Sequence, residues 1–268
     1  MDTITARVLE ALAREDAADA VDAATLTFLL RQYLGTDRQD LREALGTALA
    51  SALEHAVGEP TAGGRAAWLM LFAEVTTIAE DERIVAVIGE LVASLRAEWP
   101  AASGVAEGSA SVEAVLRASS LFDPQELVPP AIDQLEHVVG GAYQPGEGVR
   151  GGLINQVRAA SALLTAFEIT GRLPYSMLAE ELMQTARRTA PDEAGADTIV
   201  AQCEAARVFC RLATLHDDAA YQKAAVTLSG ADYRGDAARI LAAQSTRALH
   251  ATAAHAAAYG LALLDLLK

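Results

Sequence analysis

The chain has 268 residues, 52% of them hydrophobic by type and only 5% aromatic, with alanine conspicuously frequent. That length buries a substantial core, as one large domain or two ordinary ones, and the small side chains point to closely packed helices. A formal net charge of −15 argues against nucleic acid and anionic membrane surfaces as partners, because binding phosphate requires clustered Lys and Arg.

The amino-terminal stretch MDTITARVLEALARED predicts a helix over 3–14. It lacks a basic region followed by an apolar run and a small-residue cleavage site, so the expectation is a soluble cytoplasmic protein. Helices follow at 22–34 and 38–57, joined by the tight turn LGTDRQ, where Thr36 and Gln39 have capping-box spacing. The connection GEPTAGG leads to helices at 63–79 and 82–98 around the turn AEDER, with Trp68 in the apolar run AAWLMLF. After PAASGVAEGS come helices at 109–121 and 125–139, separated by FDPQE. There Asp123 is placed to cap and Pro124 to occupy the first helical position.

The connection GGAYQPGEGVRGG precedes a helix at 151–170, and the turn TGRLPY leads to another at 174–189. TAPDEAGAD precedes helix 197–214, LHDDAAY leads into 218–229, and two last helices cover 232–248 and 251–267. No strand pattern competes, and no apolar run reaches the roughly 18–20 residues of a membrane span.

Asp37, Asp81, Asp123, Leu173 and Asp217 mark the tight turns at spacings of 44, 42, 50 and 44, the range of a two-helix repeat. In antiparallel hairpins the tight turns and the long Gly- and Pro-rich connections lie at opposite ends. The long connections therefore share one face, where function tends to sit. The last helix, ATAAHAAAYGLALLDLL, is almost wholly apolar or small. A ring that packs it against the first helix suits it better than an open solenoid, whose terminal repeat needs a polar outer face. The predicted fold is a single all-α domain over 1–268, an α/α toroid of about 12–13 helices, with an open HEAT-like solenoid as the alternative.

The segment RAASALLTAFEIT followed by GRLPYSMLAEELM, repeated more weakly in LHDDAAYQKAAVTL, resembles the hairpins of six-hairpin glycosidase-like α/α toroids. The likeness covers about residues 100–268. It is nearest to the helical domain of thioredoxin-domain-containing proteins of the spermatogenesis-associated type, and to the N-acylglucosamine 2-epimerases. The chain departs from that pattern in lacking a thioredoxin domain. Leu153-Ile154-Asn155-Gln156 stands where the family has a His-Phe-Glu segment. What the resemblance implies is a toroid with a carbohydrate-type site, as a binder, a divergent glycosidase or a sugar epimerase.

In such a toroid the first helix of each pair lines the interior. The candidate ligand-binding residues are Trp68, Glu113, Tyr143, Glu147, Asn155, Arg158, Gln202 and His255, with Asp22, Arg65 and Glu204 also placed at inner helix starts. Asn155, Arg158, Ser161, Thr165 and Glu168 recur every three or four residues, forming one polar stripe that is either a solvated outer face or an interior lining. Glycosidase chemistry would need two carboxyl groups about 5–9 Å apart, one kept protonated, and Glu113, Glu147, Asp22 and Glu204 are candidates by position. Epimerase chemistry would need a base such as His. Trp68 and Tyr143 could stack on a sugar, although Trp68 also reads as core.

The five histidines and two cysteines form no metal-ligand spacing, and no cofactor is expected. His216 and His55 read as helix-terminal residues meeting carbonyls, and Cys203 and Cys210 as core thiols. GEGVRGG lacks the GxxxxGK[ST] pattern and a preceding strand, so it is not read as a phosphate loop. Three functions follow: binding of a small molecule or carbohydrate without catalysis, a weak glycosidase or epimerase, and a structural or protein-interaction module. Whether a reaction occurs at all is left open by the sequence.

Overall fold

The computed structural model describes residues 1–13, 22–99, 104–189, 197–226 and 231–268. Parts of the connections 100–109 and 189–197, and the end of the expected helix 218–229, lie outside the described residues. The fold is all-α. Among the described residues there are thirteen α-helices: α1 (Asp2–Leu12), α2 (Ala23–Thr36), α3 (Gln39–Val57), α4 (Ala62–Val75), α5 (Glu82–Glu98), α6 (Val105–Ala118), α7 (Pro124–Ala142), α8 (Leu153–Thr170), α9 (Leu173–Thr189), α10 (Asp197–Asp217), α11 (Ala219–Ala224), α12 (Tyr233–His250) and α13 (Ala253–Leu266). Among the described residues no helix is long and apolar enough to cross a membrane.

Side-chain caps start most of these helices. Asp22, Thr61, Asp81, Asp123, Asp218, Asp232 and Thr252 each accept a hydrogen bond from a first-turn amide, satisfying a donor that the helix itself cannot. Asp123 with Pro124 behaves as the sequence predicts. The capping box expected at Thr36-Gln39 does not form. Thr36 is instead the last residue of α2, its hydroxyl donating to the Gln32 carbonyl, and Asp37 closes the helix in the left-handed region at φ 51°. The short side chain of Asp tolerates that conformation, and α3 starts after Arg38, two residues later than a cap at Thr36 would require.

Packing alternates between two sets of helices. From α2, contacts pass to α4, α6, α8, α10 and α13, and α13 returns to α2. The others pack on these, α3 on α2, α5 on α4, α7 on α6, α9 on α8 and α12 on α10, and the first set comprises the helices that the sequence reading assigns to the inner position. The chain's two ends are tied together: α1 packs on α13, and the Arg7 guanidinium donates to the carbonyls of Leu249 and Ala251. The α13–α2 contact is close because Gly260 has no side chain. A methyl group there would overlap the ring of Phe28, which is fully buried.

The Gly-rich connection is a built element. Tyr143–Gln144 (β1) and Gly148–Val149 (β2) pair antiparallel, Tyr143 opposite Val149, where the sequence showed no strand signal. Two-residue strands are too short for a periodic pattern. The Gln156 side chain, from the first turn of α8, grips this hairpin like a further strand, accepting from Val149 N at 3.1 Å and donating to Val149 O at 2.6 Å. Gly148 sits at φ 78°, and a side chain there would collide with the Gln156 amide.

Candidate functional site

Side chains of the helices assigned to the inner position meet in a charged network, hereafter the lining. On α8 the predicted polar stripe meets side chains of α6 and α10. Arg158 makes a two-pronged pair with Glu204, both contacts at 3.0 Å. Deeper, Arg211 of α10 donates to the Ser161 hydroxyl (2.9 Å), the Thr165 hydroxyl (2.9 Å), Glu168 (2.9 Å) and Glu113 (3.4 Å). The Thr165 hydroxyl in turn donates a hydrogen bond to Glu113 at 3.0 Å, and Arg117 reaches the same carboxylate at 2.8 Å. Because Arg158 pairs with Glu204 and, further along, Glu168 pairs with Arg211, α8 and α10 run parallel. The stripe from Arg158 to Glu168 extends about 15 Å.

The lining continues through the remaining inner helices. Arg31 of α2 holds Glu74 of α4 with two contacts at 2.9 and 3.0 Å, and lies 3.4 Å from Asp265 of α13. Asp265 also accepts from Arg207 of α10 at 2.8 Å. Interhelical ion pairs thus join all six inner helices. Most of these side chains are half-buried and keep contact with solvent.

Glu113 is the exception, being almost fully buried. Burial alone would raise its pKa, but the charges of Arg117 and Arg211 overcome it and hold the carboxyl down at about 2. Burial would likewise raise the pKa of Asp265, but Arg207 with Arg31 outweighs it and leaves the carboxyl below the ordinary carboxylate range. An ionised Glu113 accepts hydrogen bonds and has no proton to give.

The other predicted residues scatter. Trp68 is buried in the core, stacked on Phe72 at 5.9 Å. Tyr143 donates to Glu181 of α9 at 2.8 Å, and Glu147 is exposed on the turn of the small hairpin. Asn155 donates to the Arg150 carbonyl, Gln202 accepts from Gln244 of α12, and the His255 ring lies 2.6 Å from the hydroxyl of its own cap, Thr252. Asp22 caps α2 through both carboxylate oxygens, and Arg65 binds the carbonyls of Glu59 and Pro60. Of the predicted site residues, Glu113 and Arg158 lie in the lining, with Glu204 as Arg158's partner.

His55 does meet a carbonyl, that of Ser51. The His216 ring does not: it stands 3.2 Å from the buried Glu180 carboxylate, edge-on to Tyr233 and beside Tyr221. A histidine in the last turn is free to point inward when a packed helix presents a carboxylate, and α9 does. Cys203 and Cys210 are free and buried, which pushes their thiols up to about 12 and about 11 and leaves them unreactive. No group of metal-ligating side chains occurs among the described residues.

Sequence reading missed Arg31, Glu74, Arg117, Arg207, Arg211 and Asp265, because attention to the long connections favoured the amino-terminal ends of the inner helices. The available signal was Glu113/Arg117 and Arg207/Arg211, charged pairs four residues apart within apolar helices. No protein-family model matches this chain, and no curated protein matches it.

Proposed function

We propose that the chain is an α/α toroid, of the kind its hairpins resemble, that binds a small hydroxyl-rich molecule such as a carbohydrate in its interior without catalysing its conversion. The observation that carries the reading is the solvent-contacting lining of guanidinium and carboxylate groups along α8 and α10, with Ser161 and Thr165 between them. Donors and acceptors alternate there. A hydroxyl, which does both, suits such a set, whereas a bare anion would meet as many carboxylates as guanidinium groups. Closure of the inner-helix contacts from α13 to α2 supports the ring.

Binding is favoured over glycosidase or epimerase chemistry by the state of the acids. Glu113 is held ionised and Glu204 is engaged by Arg158, while Glu147 stands apart on the hairpin. Glu113 is thus unsuited to serve as the protonated acid that glycosidase chemistry requires.

A thermal-shift series with monosaccharides, disaccharides and polyols tests the reading. A binding sugar at a hundred times its Kd adds about 2.7 kcal/mol, a rise of roughly 5 °C for a domain of this size. The shift grows with concentration and is lost in Arg158→Met. Silence across every hydroxyl-rich compound would sink the reading.

A further inference from the structure

We infer that the tight-turn end of the helical assembly is a docking surface for a basic amphipathic helix of a partner protein. The proposal rests on the ring arrangement proposed above but not on the ligand reading, since it concerns the outer surface and not the lining.

Nine large hydrophobic residues are exposed among the described residues, and five lie where inner helices end. Leu34 is in the last turn of α2, Ile78 follows α4, Leu121 follows α6, Ile169 is in the last turn of α8, and Leu267 follows α13. The first four are 49, 48, 37 and 41% exposed, and recur at spacings of 44, 43 and 48 residues. Single exposed aliphatic residues are ordinary. What is not ordinary is the same placement in four successive hairpins, each leaving between a third and a half of an aliphatic residue open to solvent.

With inner helices packed 8–10 Å apart, the six ends span about 20 Å, the length of about thirteen helical residues. An amphipathic helix laid across them would cover several of these side chains with one apolar face.

Charge selects the occupant. This end carries Asp37, Asp40, Glu80, Asp81, Glu82, Asp123, Glu126, Asp217 and Asp218 against Arg38, Arg83, Arg172, Arg234 and Lys268. Two copies meeting through this face would bring like charges together, and anionic lipid is repelled for the same reason. A helix with aliphatic residues on one side and Lys or Arg flanking them matches both features.

The full chain can be titrated into a labelled 18-residue Leu/Lys amphipathic helix and followed by fluorescence anisotropy. The expected result is saturable binding, at least tenfold weaker for a scrambled peptide of equal charge and for Ile78→Ser/Ile169→Ser, and weaker at higher salt. Val57→Ser, at the opposite end, should leave the affinity unchanged. Because Ile78 and Ile169 are 48 and 41% exposed, the double variant should lose some Tm but keep its helical content, which circular dichroism checks. Equal binding of a Leu/Glu helix, equal binding by the double variant, or self-association in sedimentation that the double variant abolishes would each overturn the proposal.

Discussion

Glu113 shows how two nearby guanidinium groups reverse the usual effect of burial on a carboxyl. Its pKa is lowered in the fold, from 4.5 to about 2. A group depressed in this way stabilises the fold above its unfolded pKa, and that contribution disappears as pH falls from about 4.5 towards 2. The full contribution is on the order of 3 kcal/mol. Denaturant melts at pH 7 and pH 3 should show a steep loss in the wild type and a shallower one in Glu113→Gln, which starts less stable because Arg117 and Arg211 lose their shared partner. Parallel slopes for the two proteins would show that Glu113 is not the titrating group. Glu113 was legible as a candidate from its place in an inner helix, but the sequence could not give its protonation state. Arg211, which decides that state together with Arg117, is 98 residues away in the chain.

At the scale of elements, helix boundaries were largely legible because caps and apolar periodicity are local signals. The small hairpin β1–β2 was not. Its order comes from Gln156, from Arg150 N bonding Ala142 O, and from Arg188 of α9 reaching Gly146 O. Gly148 adopts a conformation that side-chain-bearing residues rarely take, against a side chain that leaves no room for a methyl group. Gly148→Ala should therefore cost about 1–3 kcal/mol in urea unfolding. It should also raise amide exchange at Val149 and Gln156 above that of the α4–α5 hairpin. An unchanged midpoint would mean the connection is as slack as its glycine content suggests.

For the whole molecule, the test is whether the two ends of the chain stabilise each other. Ala is a better helix former than Gly by about 1 kcal/mol, so Gly260→Ala in α13 should stabilise if that helix were free. Because the added methyl group would push into the Phe28 ring of α2, the expectation is net destabilisation by about 1–3 kcal/mol. The measurement is chemical denaturation, with hydrogen exchange reporting faster opening of α1 and α2 although the substitution lies more than two hundred residues away. A gain in stability would show that the α13–α2 contact is loose.

The sequence by itself determined an all-α chain, the order of its helices with most limits within about four residues, and the spacing of its tight turns. Capping groups, apolar periodicity and turn residues act over a few positions, so each can be read where it stands. It also marked the polar stripe of α8, although not what the stripe faces. Only the tertiary structure decided that the stripe meets Arg211 and Glu204, that Asp265 and Arg31 extend the charged lining through α13 and α2, and that Trp68 is packed away from it. Those outcomes depend on which helices become neighbours, and that is set by the summed packing of many small side chains, Gly260 against Phe28 among them. No local segment carries that information.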